Sequence, residues 1–242
     1  MDIIDNELKS LLMEGATYYD IDLNNGQLDK FFKYKKILKE WNEKINLTAI
    51  EEDKEIILKH FIDSMSIAKY YKNSDSKIID VGTGAGFPGI VLKVVLPQLK
   101  VTLLDSLDKR VRFLNEVIQE LDLEDIEAIH GRAEDKGMDS GYREKFDFAC
   151  ARAVANLPVL LEYCLPFVKV GGYFIAMKGS STDEVDNSKK ALDLLGGIIE
   201  EVKEFELPFC NIKRSVIVVR KFRQTSTRYP RKAGKPSKDP LI

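Results

Sequence analysis

The sequence has few of the residues from which disulfide frameworks and metal sites are built. Its 242 residues include three cysteines and two histidines, and none of them has a Cys-x-x-Cys or His-x-x-x-His spacing. Long apolar runs are also absent, because the stretch from Ile90 to Leu96 is interrupted by Lys93 and is too short to span a bilayer. The first residues are acidic and lack the apolar core of a signal peptide. We therefore expect a cytoplasmic protein that binds no metal and no membrane.

Positive charge is unevenly distributed along the chain. Residues 213–238 contain ten basic side chains and no Asp or Glu, whereas residues 1–212 contain 27 basic and 38 acidic ones, a net charge of −11. The net charge of the whole chain, −2, conceals this division. A basic segment on an acidic protein indicates contact with a polyanion, but a solvated tail has the same composition.

The spacing of apolar residues divides the chain into three regions. Residues 1–72 have helical periodicity, with a helix through Leu28, Phe31 and Trp41 capped by Asn24 or Asn25, and a second helix from about Asp53 to Tyr70. Residues 73–223 alternate short apolar runs with helical stretches, and residues 224–242 form a tail that contains three prolines and a glycine. The alternation predicts a mostly parallel α/β sheet, closed at one edge by an antiparallel pair over 198–207 and 215–222.

A glycine-rich turn follows the first predicted strand. Asp80 lies near the end of the run Ile78–Val81, and Gly82, Gly84 and Gly86 alternate after it. Glycines allow the backbone to turn sharply and to approach a ligand without a Cβ between them. Such a turn at the carboxyl end of the first strand is where doubly wound folds bind nucleotides.

Two cofactors are compatible with this turn. The stretch Gly84–Gly89 matches the G-x-G-x-x-G dinucleotide fingerprint, and Asp105 lies 21 residues after Gly84. That match leaves Gly82 unexplained, whereas an acidic residue followed by three alternating glycines resembles the first motif of class I S-adenosylmethionine-dependent methyltransferases. S-adenosylmethionine (SAM) carries an ammonium and a sulfonium, which favour a carboxylate such as Asp80 nearby. Asp105, at the end of the second predicted strand, suits the ribose of either cofactor.

Two methyltransferase chemistries do not fit the sequence. Methylation of an exocyclic base amine usually uses Asp/Asn-Pro-Pro-aromatic after the fourth strand, and this tetrapeptide is missing there. Methylation of pyrimidine carbon 5 needs a cysteine nucleophile, typically after Pro or Thr, whereas Cys150 follows Ala149 and Cys164 follows Tyr163. Guanine N7 remains compatible, since its lone pair attacks a methyl group without a general base. No catalytic residue is assigned.

Seven strings occur in an order that resembles the bacterial 16S rRNA guanine-N7 methyltransferase family, historically called glucose-inhibited division protein B. The resemblance covers nearly the whole chain. The strings are Trp41–Ile50, Lys59–Ser64, Asp80–Pro88, Leu104–Arg110, His130–Glu134, Ala151–Ala153 and Tyr229–Gly234.

The resemblance implies a Rossmann-like class I methyltransferase fold behind a helical N-terminal segment, with SAM as the methyl donor. It implies that Gly82 and Phe87 line the methionine and turn region, that Ala133 and Glu134 flank the adenine, and that Arg152 completes the cofactor pocket. With the glycine turn and Asp105, the predicted cofactor residues are Asp80, Gly82, Gly84, Gly86, Phe87, Asp105, Ala133, Glu134 and Arg152. His60 and His130 are predicted to be structural.

The implied acceptor is a guanine in 16S rRNA, presented as naked RNA or in a small-subunit precursor. The basic tail then becomes a flexible RNA-binding segment that uses Arg228, Arg231, Lys232 and Lys235. We expect a monomer. Two alternative functions stay open: a non-catalytic nucleic-acid-binding protein that retains the cofactor fold, and an NAD-dependent oxidoreductase.

Overall fold

The computed structural model describes residues 3–71, 75–152, 154–179 and 184–242. Its sheet contains, in the described residues, strands β1 (Lys77–Val81), β2 (Lys100–Asp105), β3 (Ile126–His130), β4 (Phe146–Arg152), β5 (Val168–Lys178), β6 (Gly197–Glu206) and β7 (Lys213–Lys221). The α-helices are α1 (Ile3–Tyr18), α2 (Asn25–Ile45), α3 (Asp53–Ile56), α4 (Asp63–Met65), α5 (Gly89–Val95), α6 (Asp108–Glu120), α7 (Ala133–Met138), α8 (Leu157–Cys164), α9 (Lys189–Leu195) and α10 (Lys235–Lys238).

The sheet has the order β3-β2-β1-β4-β5-β7-β6. Strands β3, β2, β1, β4 and β5 are parallel, whereas β7 runs antiparallel to β5 and β6 antiparallel to β7. This confirms the predicted α/β class and the antiparallel edge pair. The order reverses beside β1, so the carboxyl ends of β1, β2 and β4 lie together at the position where this kind of sheet binds ligands.

The N-terminal segment begins with helices that its sequence specifies locally. Asn24 caps α2, because its side chain accepts the Gln27 backbone N–H at 2.9 Å while the Gln27 side chain accepts the Asn24 N–H at 3.0 Å. The helix predicted over 53–70 is instead broken into α3, a π-helical turn (Ile57–Ile62), α4 and a 3₁₀ turn (Ala68–Tyr70). Helical periodicity did not reveal this break, because almost every side chain from Ile56 to Ala68 is buried whichever way it points.

Each face of the sheet is covered by its own hydrophobic core. One core joins the N-terminal helices, α5 and α6 to residues such as Ile78 of β1. The other joins α8 and α9 to the next residue, Ile79, on the opposite face. Leu241 is buried in this second core and Tyr229 packs against it, so the C-terminal residues are docked on the protein and the predicted flexible tail is wrong.

Some predictions fall partly on residues that are not described. The proposed boundary between residues 72 and 73 lies in the gap over 72–74, and the start of the helix predicted over 182–195 lies in the gap over 180–183. The described part of that helix is α9, preceded by a 3₁₀ turn at Asp186–Ser188. In the part of the chain that the structure covers, no helix has the length and apolarity needed to cross a membrane.

Candidate functional site

The turn after β1 is tied to the start of α5 by Asp80. The Asp80 carboxylate is fully buried, and its Oδ2 accepts the Thr83 hydroxyl at 2.6 Å and the Gly89 N–H at 2.8 Å. Burial raises the pKa of Asp80 to about 6, and its Oδ1 has no hydrogen-bond partner among the described residues. Asp80 therefore lies beneath the glycine turn and does not face the cavity in front of it.

Two glycines of this turn serve different purposes. Gly84 has a φ of +62° and faces open space, so that a ligand can approach its backbone directly. Gly86 has a φ of +91°, and a Cβ there would lie 2.4 Å from the Ile90 side chain and 2.7 Å from the Tyr34 hydroxyl oxygen. Gly86 thus permits helix α2 to pack against the turn, and it does not line the cavity.

A front cavity of 370 Å³, a size suited to a small ligand, opens beside Gly84. Five predicted residues line it: Gly82, Gly84, Phe87, Asp105 and Arg152. The N-terminal segment supplies a further wall through Leu47, Thr48 and His60. The front cavity is therefore built jointly by the sheet and by a region that was predicted to form a separate segment.

Arg152 connects this N-terminal wall to the end of β4. Its Nη2 donates to His60 Nδ1 at 3.0 Å, and its Nη1 donates to the Lys59 carbonyl at 3.0 Å and lies 3.4 Å from Asp63 Oδ2. The same Asp63 oxygen accepts Arg214 Nε at 3.1 Å. Lys59 and His60 belong to the π-helical turn, a distortion that often occurs at functional sites.

His60 is a neutral imidazole with both ring nitrogens bonded. Because an arginine can only donate, His60 Nδ1 is the acceptor, so Nε2 carries the hydrogen and donates to Thr48 Oγ1 at 2.9 Å. The ring stacks on Phe87 with centroids 4.4 Å apart, and the Arg152 guanidinium lies 4.9 Å from the centre of the same Phe87 ring. Burial and the Arg152 charge lower the pKa of His60 to about 3.

Asp105 lies at the floor of the front cavity, where β2 ends. Its Oδ2 accepts the Gly84 N–H at 2.9 Å, its Oδ1 accepts the Leu107 N–H at 2.9 Å, and Arg110 lies 3.5 Å away. A carboxylate has about four acceptor positions, and Gly84, Leu107 and Arg110 use three of them, so one on Oδ1 remains for a hydroxyl group of a ligand. This arrangement fits the ribose that the sequence predicted for this position.

A rear cavity of 280 Å³ adjoins the front one, and Gly82, Ser106 and Val154 line both. Its other walls include Ala133 and Glu134, as predicted, together with Tyr163 of α8. Two residues from the C-terminal end of the chain, Gly234 and Ser237, complete it. The Gly234 N–H donates to Glu134 Oε1 at 2.8 Å.

The predicted RNA-binding residues are not equivalent in the structure. Arg231 forms a two-pronged ion pair with the fully buried Glu162, with Nε 2.9 Å from Oε1 and Nη2 2.7 Å from Oε2. Its guanidinium is therefore engaged within the protein, and the prediction that it contacts phosphate does not fit. Arg228 and Lys232 are exposed, and Lys235 is exposed while paired with Asp239 at 2.7 Å.

Seven of the nine predicted cofactor residues thus line two connected cavities, and Asp80 and Gly86 support them from behind. The prediction that His60 is merely structural missed its place in the front wall. Its signal was present, because His60 and Thr48 both lie within strings on which the family resemblance depends. Gly234 also lies within one of these strings, whereas Tyr163 and Ser237 gave no comparable signal as ligand-facing residues.

Comparison with known proteins gives the family of this chain. The family model GidB, described as rRNA small subunit methyltransferase G, matches residues 27–217. The chain belongs to the GidB family. A GidB relative from Acetivibrio thermocellus, named ribosomal RNA small subunit methyltransferase G, is 66% identical over 241 residues and covers 100% of both chains. The GidB match ends before the C-terminal residues that line the rear cavity.

Solved structures share the GidB chain's fold at low identity. A SAM-dependent methyltransferase from Aquifex aeolicus has a TM-score of 0.54 and 18% identity, and the match covers 72% of this chain and 96% of that one. A branched-chain polyamine synthase from Thermus thermophilus has a TM-score of 0.57 and 12% identity, covering 80% and 64%. Because proteins with different names share this fold, the fold alone does not define the reaction.

Proposed function

We propose that this protein transfers the methyl group of SAM to N7 of a guanine in 16S rRNA. Its membership of a family described as small-subunit rRNA methyltransferases supports the reaction class. The observation that carries the proposal is the pair of connected cavities with Asp105 at the floor, a shape suited to a nucleoside joined to an amino acid. An rRNA acceptor supports a cytoplasmic location.

Charge and hydrogen-bonding capacity orient the cofactor in these cavities. The remaining acceptor position of Asp105, on Oδ1, suits a ribose hydroxyl. Arg110 and Arg152 in the front cavity favour the methionine carboxylate, which leaves the rear cavity, with Glu134 in its wall, for the uncharged adenine. When bound, SAM supplies a methyl group activated by a positively charged sulfur.

The His60 imidazole in the wall of the front cavity positions its neighbours and has no free nitrogen. Both nitrogens of His60 are engaged, by Arg152 and by Thr48, so its imidazole is not free to accept a proton from an acceptor base. Guanine N7 has a lone pair and no hydrogen, and its methylation therefore requires alignment with the methyl–sulfur bond but no proton removal. The engaged imidazole supports N7 over an exocyclic amine as the acceptor.

Exposed basic side chains provide contacts for the RNA backbone. Arg228, Lys232 and Lys235 remain the proposed phosphate contacts on the C-terminal segment, without Arg231. Arg132, which is exposed and lines the rear cavity, extends this positive surface to the site. Phosphate contacts fix the position of the RNA, and the front cavity then receives the guanine.

The proposal is tested by incubating the protein with SAM labelled in the methyl group and either naked 16S rRNA or small subunits. We expect label in 16S rRNA and, after borohydride reduction and aniline treatment, cleavage at one guanine. Label without an aniline-sensitive guanine would move the acceptor to another atom. RNA binding without label would favour the non-catalytic alternative, and retention of NAD in place of SAM would favour the oxidoreductase.

A further inference from the structure

The C-terminal residues 225–242, which we call the strap, are fixed to the protein at several points. Near its start, the Thr225 hydroxyl donates to the Leu195 carbonyl at 2.8 Å and the Thr225 N–H donates to Glu144 at 3.0 Å. The guanidinium of Arg143 donates to three strap carbonyls, Thr225 at 2.6 Å, Tyr229 at 2.9 Å and Ser226 at 3.2 Å. At its far end, Leu241 is buried in the hydrophobic core beneath α8 and α9. The strap therefore has a defined path across the surface.

The middle of the strap is held by the ion pair between Arg231 and Glu162. Glu162 has no solvent exposure, and besides the side-chain contacts it accepts the Arg231 backbone N–H at 2.8 Å. A buried carboxylate is strongly destabilising without its partner, so this contact fixes the strap against α8. The next residue of α8, Tyr163, lines the rear cavity, so consecutive residues of this helix hold the strap and form the cavity wall.

From this position the strap contributes to the rear cavity itself. Gly234 and Ser237 line this cavity. The Gly234 N–H donates a hydrogen bond to the carboxylate of Glu134, a residue that is 6% exposed. Gly234 has a φ of +79°, which directs the chain into the short helix α10 and which other residues adopt only with strain. Without the strap, the rear cavity would lose one side and Glu134 would lose its donor.

We propose that the strap is a cofactor-binding element: it closes the adenine end of the site, and Arg231, paired with Glu162, is the positioning residue that keeps it closed. This inference rests on the proposed function, because it takes the rear cavity as the adenine site. It reassigns Arg231 from the RNA to the cofactor. If only the closed strap binds the cofactor, apparent affinity falls in proportion to the fraction of molecules in which the strap is closed.

The first test compares two substitutions in the strap that each remove one positive charge. Arg231→Gln breaks the buried ion pair, whereas Lys238→Gln alters an exposed side chain. We expect Arg231→Gln to weaken binding of S-adenosylhomocysteine, measured by isothermal titration calorimetry, by about tenfold if it opens the strap in about nine molecules of ten. Lys238→Gln should bind as the wild type does. Equal affinities of Arg231→Gln and the wild type, or equal weakening by both substitutions, would overturn the proposal.

The second test uses the unaltered protein, and so it decides the question even if Arg231→Gln does not fold. Trypsin should cleave after Lys232 when the strap opens. Mass spectrometry of a single digest measures the rate of cleavage at this site and at every other cleaved Lys or Arg. S-adenosylhomocysteine should slow cleavage after Lys232 more than cleavage elsewhere in the chain, a selectivity that a purely structural strap would not produce. Equal protection at all sites would overturn the proposal. If the wild type binds S-adenosylhomocysteine but methylates no RNA, the proposed function fails while the strap remains testable.

Discussion

The N-terminal helices and the C-terminal strap both build walls of the candidate site, but they are held in place by different forces. The N-terminal wall is attached by aromatic packing: Phe61 contacts Phe31 and Tyr34, with ring centroids 5.0 and 5.5 Å apart, and Tyr34 stacks on Phe87 at 5.4 Å. The strap is attached largely by an ion pair and by hydrogen bonds to backbone carbonyls. The first wall is therefore part of the folding core, whereas we expect the strap to open locally, around Arg231, while the core stays folded.

The largest effect is expected from removing an aromatic ring of the N-terminal wall. Phe61 is 1% exposed, and Phe61→Ala should lower the free energy of unfolding by about 3–5 kcal/mol through reduced burial and the cavity left behind. Urea denaturation measures this change. Phe222→Ala, at a side chain that is 46% exposed, is the matched control and should have a small effect. Similar costs at both positions would contradict an N-terminal wall held by packing.

The next effect concerns the floor between the two walls. Asp105→Ala removes the acceptor that we assign to a ribose hydroxyl, and a hydrogen bond to a charged group contributes about 1.5–3 kcal/mol. We therefore expect S-adenosylhomocysteine to bind about ten to a hundred times more weakly by calorimetry. Asp108→Ala, three residues later and exposed on α6, should bind normally. An unchanged affinity in Asp105→Ala would remove the ribose assignment.

His60 predicts a pH dependence for the N-terminal wall. The folded protein holds the pKa of His60 near 3, below the ordinary value of 6.5. Between these two pH values the imidazole is therefore protonated in the unfolded chain and neutral in the folded protein. Stability from this group is present above pH 6.5 and is lost as the pH falls towards 3, by at most about 1.4 kcal/mol per pH unit. Unfolding measured from about pH 4 to 6.5 should show a shallower slope for His60→Gln. Parallel curves would show that His60 is protonated equally in both states.

The smallest effect on the folded protein is expected from exposed charges of the strap. The double substitution Arg228→Gln with Lys232→Gln should leave the unfolding free energy and S-adenosylhomocysteine binding unchanged. It should weaken binding to 16S rRNA and reduce the dependence of log K on log salt by about 0.7–0.9 for each phosphate that is no longer neutralised. Lys36→Gln with Lys189→Gln, at exposed lysines of α2 and α9, is the control. Equal salt dependence in the two double variants would place the RNA elsewhere.

The parts of the candidate site whose position the sequence predicts are local. The glycine turn and the Ala133–Glu134 pair follow the ends of strands and Asp105 is the last residue of a strand, so their place at the sheet edge follows from the strand order. Asp80 was expected to face the cofactor, but the pattern does not show on which side of the turn its carboxylate lies. The hydrogen bonds from Thr83 and Gly89 draw it inward.

The parts that the sequence misses depend on distant partners. Arg231 resembles the basic residues around it, and its engagement with Glu162 becomes visible only when residues 69 positions apart meet. His60 was treated as structural because it has no neighbour at metal or nucleophile spacing, whereas its partner Arg152 is 92 positions away. Local patterns therefore predicted the sheet edge well, and long-range ion pairs determined what lies around it.

The meeting of the two cavities at Gly82, Ser106 and Val154 has a consequence for competing ligands. A molecule that fills both cavities binds its second half at the high local concentration set by the covalent link, whereas adenosine and methionine added separately lack this advantage. Each half alone should therefore compete poorly even where its own contacts are good. The protein would therefore bind a nucleoside covalently joined to an amino acid far more tightly than it binds free adenosine or free methionine.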